Sequence, residues 1–291
     1  MHMSESASGK LQAFVEAHPR LFVITGAGVS TASGIPDYRD RSGAWKRPPP
    51  ITFQAFTGDD LARRRYWARS LVGWSHFRQA RPNAVHHALA RLEATGRIEL
   101  LLTQNVDGLH QQAGSRRVVD LHGRIDAVRC LGCGAVTPRA DLQRALAGRN
   151  PGWAALRADI APDGDADLDG HDFATFDVPD CPHCGGMLKP DVVFFGESVP
   201  RERVATAMQA LSRSDAMLVL GSSLMVYSGF RFARAAAATG LPIAAVNLGH
   251  TRADDLLSLK IETACEQALG FVPEPGRAMT NPSSGQALQG R

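Results

Sequence analysis

A chain of 291 residues has room for one large domain, or for a large domain and a small one. Its net charge of +3 leaves no case for a nucleic-acid binder, and no stretch approaches the ~18 apolar residues that a membrane helix needs. Five cysteines, four of them in two Cys-x-x-Cys pairs, point to metal rather than disulfides and to a reducing compartment; with no signal-peptide core near residue 1, the expected location is the cytoplasm.

The first strand is expected at LFVIT (21–25), followed by a helical excursion over 41–85 that includes ARRRYWARSLVGWSHFRQA. The RRR at 63–65 reads as a solvated helix face at this net charge. NAVHHALARLEATG is a further helix, capped by Asn83 and stopped by Gly96, and it leads to strands IELLLT (98–103) and VVDL (118–121). Over 124–190 strands thin out, Gly, Pro and Asp rise, and both cysteine pairs occur, which marks a small inserted module. Helix RERVATAMQALSRS, strand AMLVLG (216–221), helix GFRFARAAAATG and strand PIAAVN (242–247) complete the folded part. Short β-branched runs alternating with helices argue for an α/β fold, a doubly wound parallel sheet carrying an inserted small module that holds both cysteine pairs. The expected division is a discontinuous large domain (1–40, 86–123 and 191–273), a helical part of the small domain (41–85) and the metal module (124–190). Residues 274–291, rich in Pro, Gly and Ser, are expected to be a disordered tail.

Three constellations carry chemistry. In VITGAGVSTASGIPDYRD a strand runs into Gly26-Ala27-Gly28, with small residues where a helix should start. Glycines there let backbone approach a phosphate at a helix N-terminus, but a tight turn explains the same residues. Thr31 replaces the third glycine of the dinucleotide fingerprint, and the region where the ribose-binding acid is expected reads KRPPP. In LLTQNVDGLH, Gln104, Asn105 and Asp107 leave the carboxyl end of a strand, where they suit either a polar ligand or a helix cap.

Cys130/Cys133 and Cys181/Cys184, separated by a 47-residue gap (134–180), form the third constellation. Four thiolates close a tetrahedral Zn²⁺ shell and leave no open position, so the metal is structural. His183, inside CPHC, is a spare ligand that an all-cysteine site does not need. His122, at the end of VVDLHG, is then either a satisfied structural histidine or a general base. A calcium-loop pattern at Asp165, Asp167, Asp169 and Gly170 fails because Phe176 stands where a bidentate Glu is required.

Taken in order, GAGVSTASGIPDYRD, TQNVDGLH, LHG, the paired Cys-x-x-Cys, KPDVVFFGE, GSSL and VN, spread over residues 20–250, resemble the sirtuin family of NAD-dependent protein deacylases. RYWARSLVGW, AGSRR, APDGD and VYSGFRF look like its class II branch, which includes a mitochondrial animal sirtuin. The resemblance implies a Rossmann-like parallel-sheet large domain with an inserted small zinc-binding module, NAD as co-substrate, one structural Zn²⁺, acyl-lysine side chains of proteins as partners, and neither nucleic acid nor membrane. It implies a cofactor loop with Gly26, Ala27 and Gly28 at the phosphates and Asp37, Tyr38 and Arg39 at the nicotinamide end. Gln104 would contact the nicotinamide ribose, and Asn105 and Asp107 would line the nicotinamide pocket. Gly221, Ser222, Ser223, Asn247, Leu248, Gly249 and Cys265 would hold the adenosine half. Val193, Phe194, Phe195, Gly196 and Glu197 on one side and Val226 on the other would sandwich the substrate backbone as an added strand.

By the same resemblance His122 is the catalytic base, with Asn105 also catalytic. The acyl oxygen attacks the ribose as nicotinamide leaves, the base activates a ribose hydroxyl, and the products are lysine, nicotinamide and O-acyl-ADP-ribose. Tyr38 stands where many members carry Phe, and Ser228 where a Pro often follows the substrate strand. Tyr66 and Arg69 have the Tyr-x-x-Arg spacing with which some sirtuins bind acidic acyl groups, and i,i+3 residues share a helix face; an exposed cation beside a packed ring is the other account. The alternatives in function are protein mono-ADP-ribosyl transfer and a nicotinamide-dependent oxidoreductase with structural zinc.

Overall fold

The computed structural model describes residues 6–46, 49–157, 168 and 170–273. The expected tail (274–291) and the acidic residues Asp165, Asp167 and Asp169 lie outside the described residues. A six-stranded sheet contains β1 (Leu21–Thr25), β2 (Ile98–Thr103), β3 (Val118–Asp120), β7 (Ala216–Leu220), β8 (Ile243–Val246) and β9 (Leu259–Ile261). All its pairings are parallel, and the order is β3-β2-β1-β7-β8-β9. That order reverses direction between β1 and β7, the switch point at which open parallel sheets leave a crevice beyond the strand ends.

The central strands β1, β7 and β8 are apolar on both faces because both faces are covered. Leu21 and Val23 of β1 join Leu218, Ala244 and residues of α1 (Ala7–Ala17), α4 (Ala84–Ala94) and α10 (Cys265–Ala268) on one side. Phe22 and Ile24, one residue out of step, join Met217, Val219 and residues of α8 (Arg201–Ser212) and α9 (Tyr227–Ala238) on the other. Phe22 is fully buried and stacks on Phe232 of α9 at 5.7 Å. The cap expected for α4 is present: Asn83 accepts from Val85 N–H, His86 closes a capping box, and Gly96 ends the helix in the left-handed region (φ 77°).

Between 124 and 190 the sequence was expected to be poor in strands, and here the structure differs. β4 (Gly123–Cys130), β5 (Val136–Pro138) and β6 (Leu188–Val192) form an antiparallel sheet in the order β5-β4-β6. β4 reads GRIDAVRC, in which charged residues interrupt the apolar run, so its half-buried pattern is legible only once a partner covers one face. α6 (Arg139–Arg149) and α7 (Pro151–Ala154) follow within the module. α2 (Phe53–Gly58) and α3 (Asp60–Gln79) pack on it, with Phe56, Tyr66 and Trp67 meeting Val128, Cys130, Leu142 and Leu188 in one cluster. α5 (Leu109–Gln112) is a single turn after β2.

Phe22→Ala removes a buried ring from the centre of one sheet face and is expected to lower stability by about 3–5 kcal/mol, read from urea unfolding midpoints; a loss under about 1 kcal/mol would mean that the face is not close-packed there.

Candidate active site and metal centre

The loop after β1 and the loop after β7 meet backbone to backbone. Gly26 N–H donates to Leu220 O (3.1 Å) and Gly28 N–H to Gly221 O (2.9 Å). A Cβ on Gly28 would lie 2.9 Å from Gly221 Cα, and one on Gly221, itself at φ 57°, would lie 2.6 Å from Val29 N. These glycines are therefore required by each other's backbone. Where an α-helix was expected to begin, the chain makes two short 3-10 turns, Ala27–Val29 and Thr31–Ser33. Thr31 donates to Gly28 O (3.1 Å), and Gly34 at φ 83° followed by Pro36 prevents a helix from propagating. A helix N-terminus is thus not what this loop offers to a ligand.

Beyond these loops a cavity of about 630 Å³ opens between the large sheet and the small module, a volume suited to a cofactor-sized ligand. Gly26, Ala27, Gly28, Asp37, Tyr38 and Arg39 line it from the β1 side, and Gly221, Ser222, Ser223, Asn247 and Leu248 from the β7 and β8 side. Arg39 lies over the Trp45 ring (3.9 Å) and donates to Gly43 O (2.7 Å); Trp45 in turn meets Tyr38 and Phe195 edge-on. Gly249 does not line the cavity: a Cβ there would meet Arg41 O at 2.3 Å. Cys265 does not line it either, sitting in the core with its thiol pushed up to about 12 by burial.

The end of β2 supplies a connected polar set. Gln104 Nε2 donates to Ser222 Oγ (2.6 Å), tying β2 to the β7 loop. Asn105 Nδ2 donates to Gly26 O (3.0 Å) and Ser30 Oγ (3.0 Å), and Ser30 Oγ donates to Asp107 Oδ2 (2.7 Å). Gln104 and Asn105 line the cavity and Asp107 stands behind them. Asp107 also accepts from Leu109 N–H (2.9 Å) at the start of α5, so the helix-start reading of TQNVDGLH holds for this residue, which does not itself line the cavity. Burial pushes its carboxyl above the usual range.

His122 reaches the cavity from the end of β3. Its Nδ1 lies 2.9 Å from Gln104 O and its Nε2 2.7 Å from Ser228 Oγ, while its own carbonyl accepts from Val193 N–H (2.8 Å). Burial pushes its pKa down to about 4, with Arg203 and Arg231 adding to the effect, so the ring is neutral near pH 7. Two more buried histidines, His86 and His110, lie with their ring centroids 4.8 Å apart and tilted by 54°; burial takes them to about 4 and about 3.

Val193, Phe194, Phe195, Gly196 and Glu197 form one wall, opposite Leu224–Ser228, which contains Val226. Glu197 accepts from Phe194 N–H (2.9 Å) and from the buried Lys189 ammonium (3.1 Å), which fixes the bend of this segment. Tyr66 lines the cavity from α3, packed edge-on against Phe56 and Phe194; Arg69, half-buried, does not line it. Ser30, Lys189 and Ser228 are functional neighbours that residue type alone did not single out. Only Ser228 carried a signal, as a departure from the resembled pattern.

In the small module the four cysteine sulfurs lie within 4.8 Å of one another, with Cys130–Cys184 at 3.5 Å and Cys133–Cys181 at 3.8 Å. A tetrahedral ion with Zn–S bonds of ~2.3 Å requires sulfurs about 3.8 Å apart, so the set fits structural zinc. N–H groups of Cys133 and Gly132 point at Cys130 Sγ and pull its thiol down to about 6, which favours the thiolate that zinc needs. His183 is exposed and outside this cluster.

The Sir2 family profile matches residues 26–228. An NAD-dependent protein deacetylase of Xanthomonas campestris pv. campestris (strain 8004) is 68% identical over 265 residues, 91% of this chain and 90% of the relative. One of Bordetella bronchiseptica (strain ATCC BAA-588 / NCTC 13252 / RB50) is 64% identical over 262 residues, 90% of this chain and 96% of the relative. Among solved structures, a Sir2–p53 peptide–NAD+ complex superposes with a TM-score of 0.69 at 28% identity, covering 90% of this chain and 95% of the other.

Cys181→Ser is expected to lose zinc and stability together, with metal falling well below one ion per chain and folding weakened by more than about 4 kcal/mol; unchanged zinc content by elemental analysis would contradict the four-cysteine site. The three buried histidines also set a pH dependence. Their folded pKa values lie below the unfolded ~6.5, so from pH ~6.5 down to about 4 for His86 and His122, and to about 3 for His110, only the unfolded chain takes up their protons. Their contribution is complete above that window and is lost as pH falls, by up to about 1.4 kcal/mol per histidine per pH unit. Asp107 and Asp120, which burial pushes up, act in the opposite sense, so histidine ring titration by NMR is read beside the unfolding midpoints. Rings that titrate near ~6.5 in the folded protein would refute the assignment.

Proposed function

The chain belongs to the Sir2 family, and from that premise we infer that it is an NAD-dependent protein deacetylase whose base is His122. The observation that carries the assignment is the neutral His122 ring in the wall of a cavity that also contains Gln104, Asn105 and both glycine loops. Gly26, Ala27, Gly28, Gly221, Ser222 and Ser223 would hold the phosphates and adenosine ribose, with Asn247 and Leu248 beside them and Gly249 and Cys265 shaping that end from behind. Asp37, Tyr38, Arg39, Asn105 and Asp107 would form the nicotinamide end, and Gln104 would meet the adjoining ribose. When bound, NAD supplies an electrophilic ribose carbon that can accept the acyl oxygen.

The protein's own contribution is binding, orientation and one proton. A polypeptide entering between 193–197 and 224–228 would add as a strand, with Val193 and Val226 on either side of the acylated lysine. His122, kept neutral by burial, is ready to take a proton from a ribose hydroxyl near pH 7. Asn105, pinned by Gly26 and Ser30, holds the polar end rigid. With NAD bound, Phe195, Trp45 and Tyr38, which pack edge-on in the cavity wall, would shield its ribose from water. Zinc in the cysteine cluster, with four protein ligands, holds the module's shape and takes no part. Tyr66, in the cavity wall, would touch the acyl chain, and an acidic acyl preference would depend on Arg69 reaching past it.

The partners are acyl-lysine side chains of proteins. No helix among the described residues is long and apolar enough to cross a membrane. All five cysteines are free, which suits a reducing compartment and supports placing the protein in the cytoplasm.

Mass spectrometry of the purified protein with NAD and lysine peptides bearing acetyl, succinyl, glutaryl or long-chain acyl groups is expected to give nicotinamide and O-acyl-ADP-ribose in equal amounts. His122→Ala is expected to abolish turnover, at least about 100-fold, with an unchanged circular dichroism spectrum. Full turnover in the folded variant would remove His122 as base, and a peptide gaining ADP-ribose would favour the transferase reading instead.

A further inference from the structure

Ser228 lies in the first turn of α9, yet its hydroxyl is directed away from the helix. The helix N-cap is Val226, which makes no side-chain cap bond, and Ser228 Oγ meets His122 Nε2 at 2.7 Å. The other ring nitrogen faces Gln104 O at 2.9 Å. A carbonyl oxygen only accepts, so Nδ1 carries the proton. Near pH 7 the ring is neutral, Nε2 then has a bare lone pair, and the hydroxyl must be the donor. Two groups from different elements, the end of β2 and the start of α9, thus fix both the tautomer and the direction of the ring.

We propose that Ser228 is a positioning residue for the base, its O–H holding the Nε2 lone pair aimed into the cleft and unprotonated until a substrate hydroxyl takes the same place. The proposal rests on the reading of His122 as base. The geometry gives the hydroxyl a definite sign of effect. Donation to a lone pair is possible only while that lone pair is free, so the Ser228 bond stabilises the neutral ring and must be broken or reversed when the ring is protonated. The charged groups that act on the ring are Arg203 of α8 and Arg231 of α9, both of which also oppose its protonation. Glu197, in the facing wall, is engaged by Lys189, and Asp191 by Arg129. On the β2 side, among the described residues, the Gln104 carbonyl acts on the ring and favours the charged form. Ser228 is thus the one neutral donor on the nitrogen that would do the chemistry.

The test uses the full chain loaded with zinc. The His122 ring is followed by nitrogen-15 NMR, its signals identified by their loss in His122→Asn, and kcat/KM is measured against pH with the acyl peptide that reacts fastest. Ser228→Ala is expected to raise the His122 titration midpoint and the acid limb of kcat/KM together by roughly half to one pH unit, the worth of one net hydrogen bond. Ser228→Thr is expected to restore both. A merely structural serine would lower activity without moving either midpoint, so an unmoved midpoint in folded Ser228→Ala overturns the proposal. Ser228→Cys, a weaker donor of similar size, is expected to give a smaller shift in the same direction, and serves if the alanine variant folds poorly. The ring titration does not depend on turnover. If His122→Ala remains active, the base reading fails while the Ser228 effect on the ring is still read; if only the shift is absent, the base reading stands and Ser228 does not position it.

Discussion

The contact on which the cleft depends is the one between two stretches of backbone, with Gly28 N–H donating to Gly221 O across the point where the sheet order reverses. Strand order brings the ends of β1 and β7 side by side, and only residues without a Cβ let their loops touch. Once they do, Gln104 at the neighbouring end of β2 reaches Ser222, Asn105 reaches Gly26, and the ring of His122 is set against the Gln104 carbonyl. A methyl group at 28 or 221 would separate the loops and with them the donors that define the cavity. The glycines therefore act through the fold before they act through any ligand.

The polar groups at the strand ends are held in a largely closed network. Ser30 joins Asn105 to Asp107, Asp107 accepts from Leu109 N–H at the start of α5, and Thr25 bridges Thr103 and His110. Burying such groups is unfavourable unless they are paired, and a paired network has few alternative arrangements. The same burial that disfavours charge on His86, His110 and His122 keeps the cavity ring in its proton-accepting form near pH 7. Loss of stability in acid and readiness as a base thus follow from one cause.

The small module contributes the opposite wall. Phe194 belongs both to the core around α3 and to the cavity lining, and Cys130 and Cys181 belong both to that core and to the zinc cluster. A metal some distance from the cleft can therefore influence it mechanically, by fixing β4 and β6 at their cysteine ends while Lys189 and Glu197 fix the turn that leads into 193–197. Every link is a packed side chain or an ion pair, and none requires the metal to meet a substrate.

Five of the six strands of the parallel sheet, the α4 cap at Asn83 and the cysteine quartet were legible in the sequence because each rests on local chemistry: a β-branched apolar run, a side-chain oxygen at a helix start, two pairs of thiols at chelating spacing. β4 was not legible, since GRIDAVRC has no strand pattern until β5 and β6 cover it, and neither was β9, three residues long at the sheet edge. The helix expected after Gly28 is replaced by 3-10 turns because the loop's first obligation is to Gly221, a residue nearly two hundred positions away. By itself, then, the sequence determined the layer architecture, the metal set and the segments that gather at the strand ends. Only the tertiary structure decided which way His122 faces, which of its nitrogens bears the proton, and that Tyr66 rather than Arg69 reaches the cavity. Those depend on distances between groups from different elements, and no spacing along the chain encodes them.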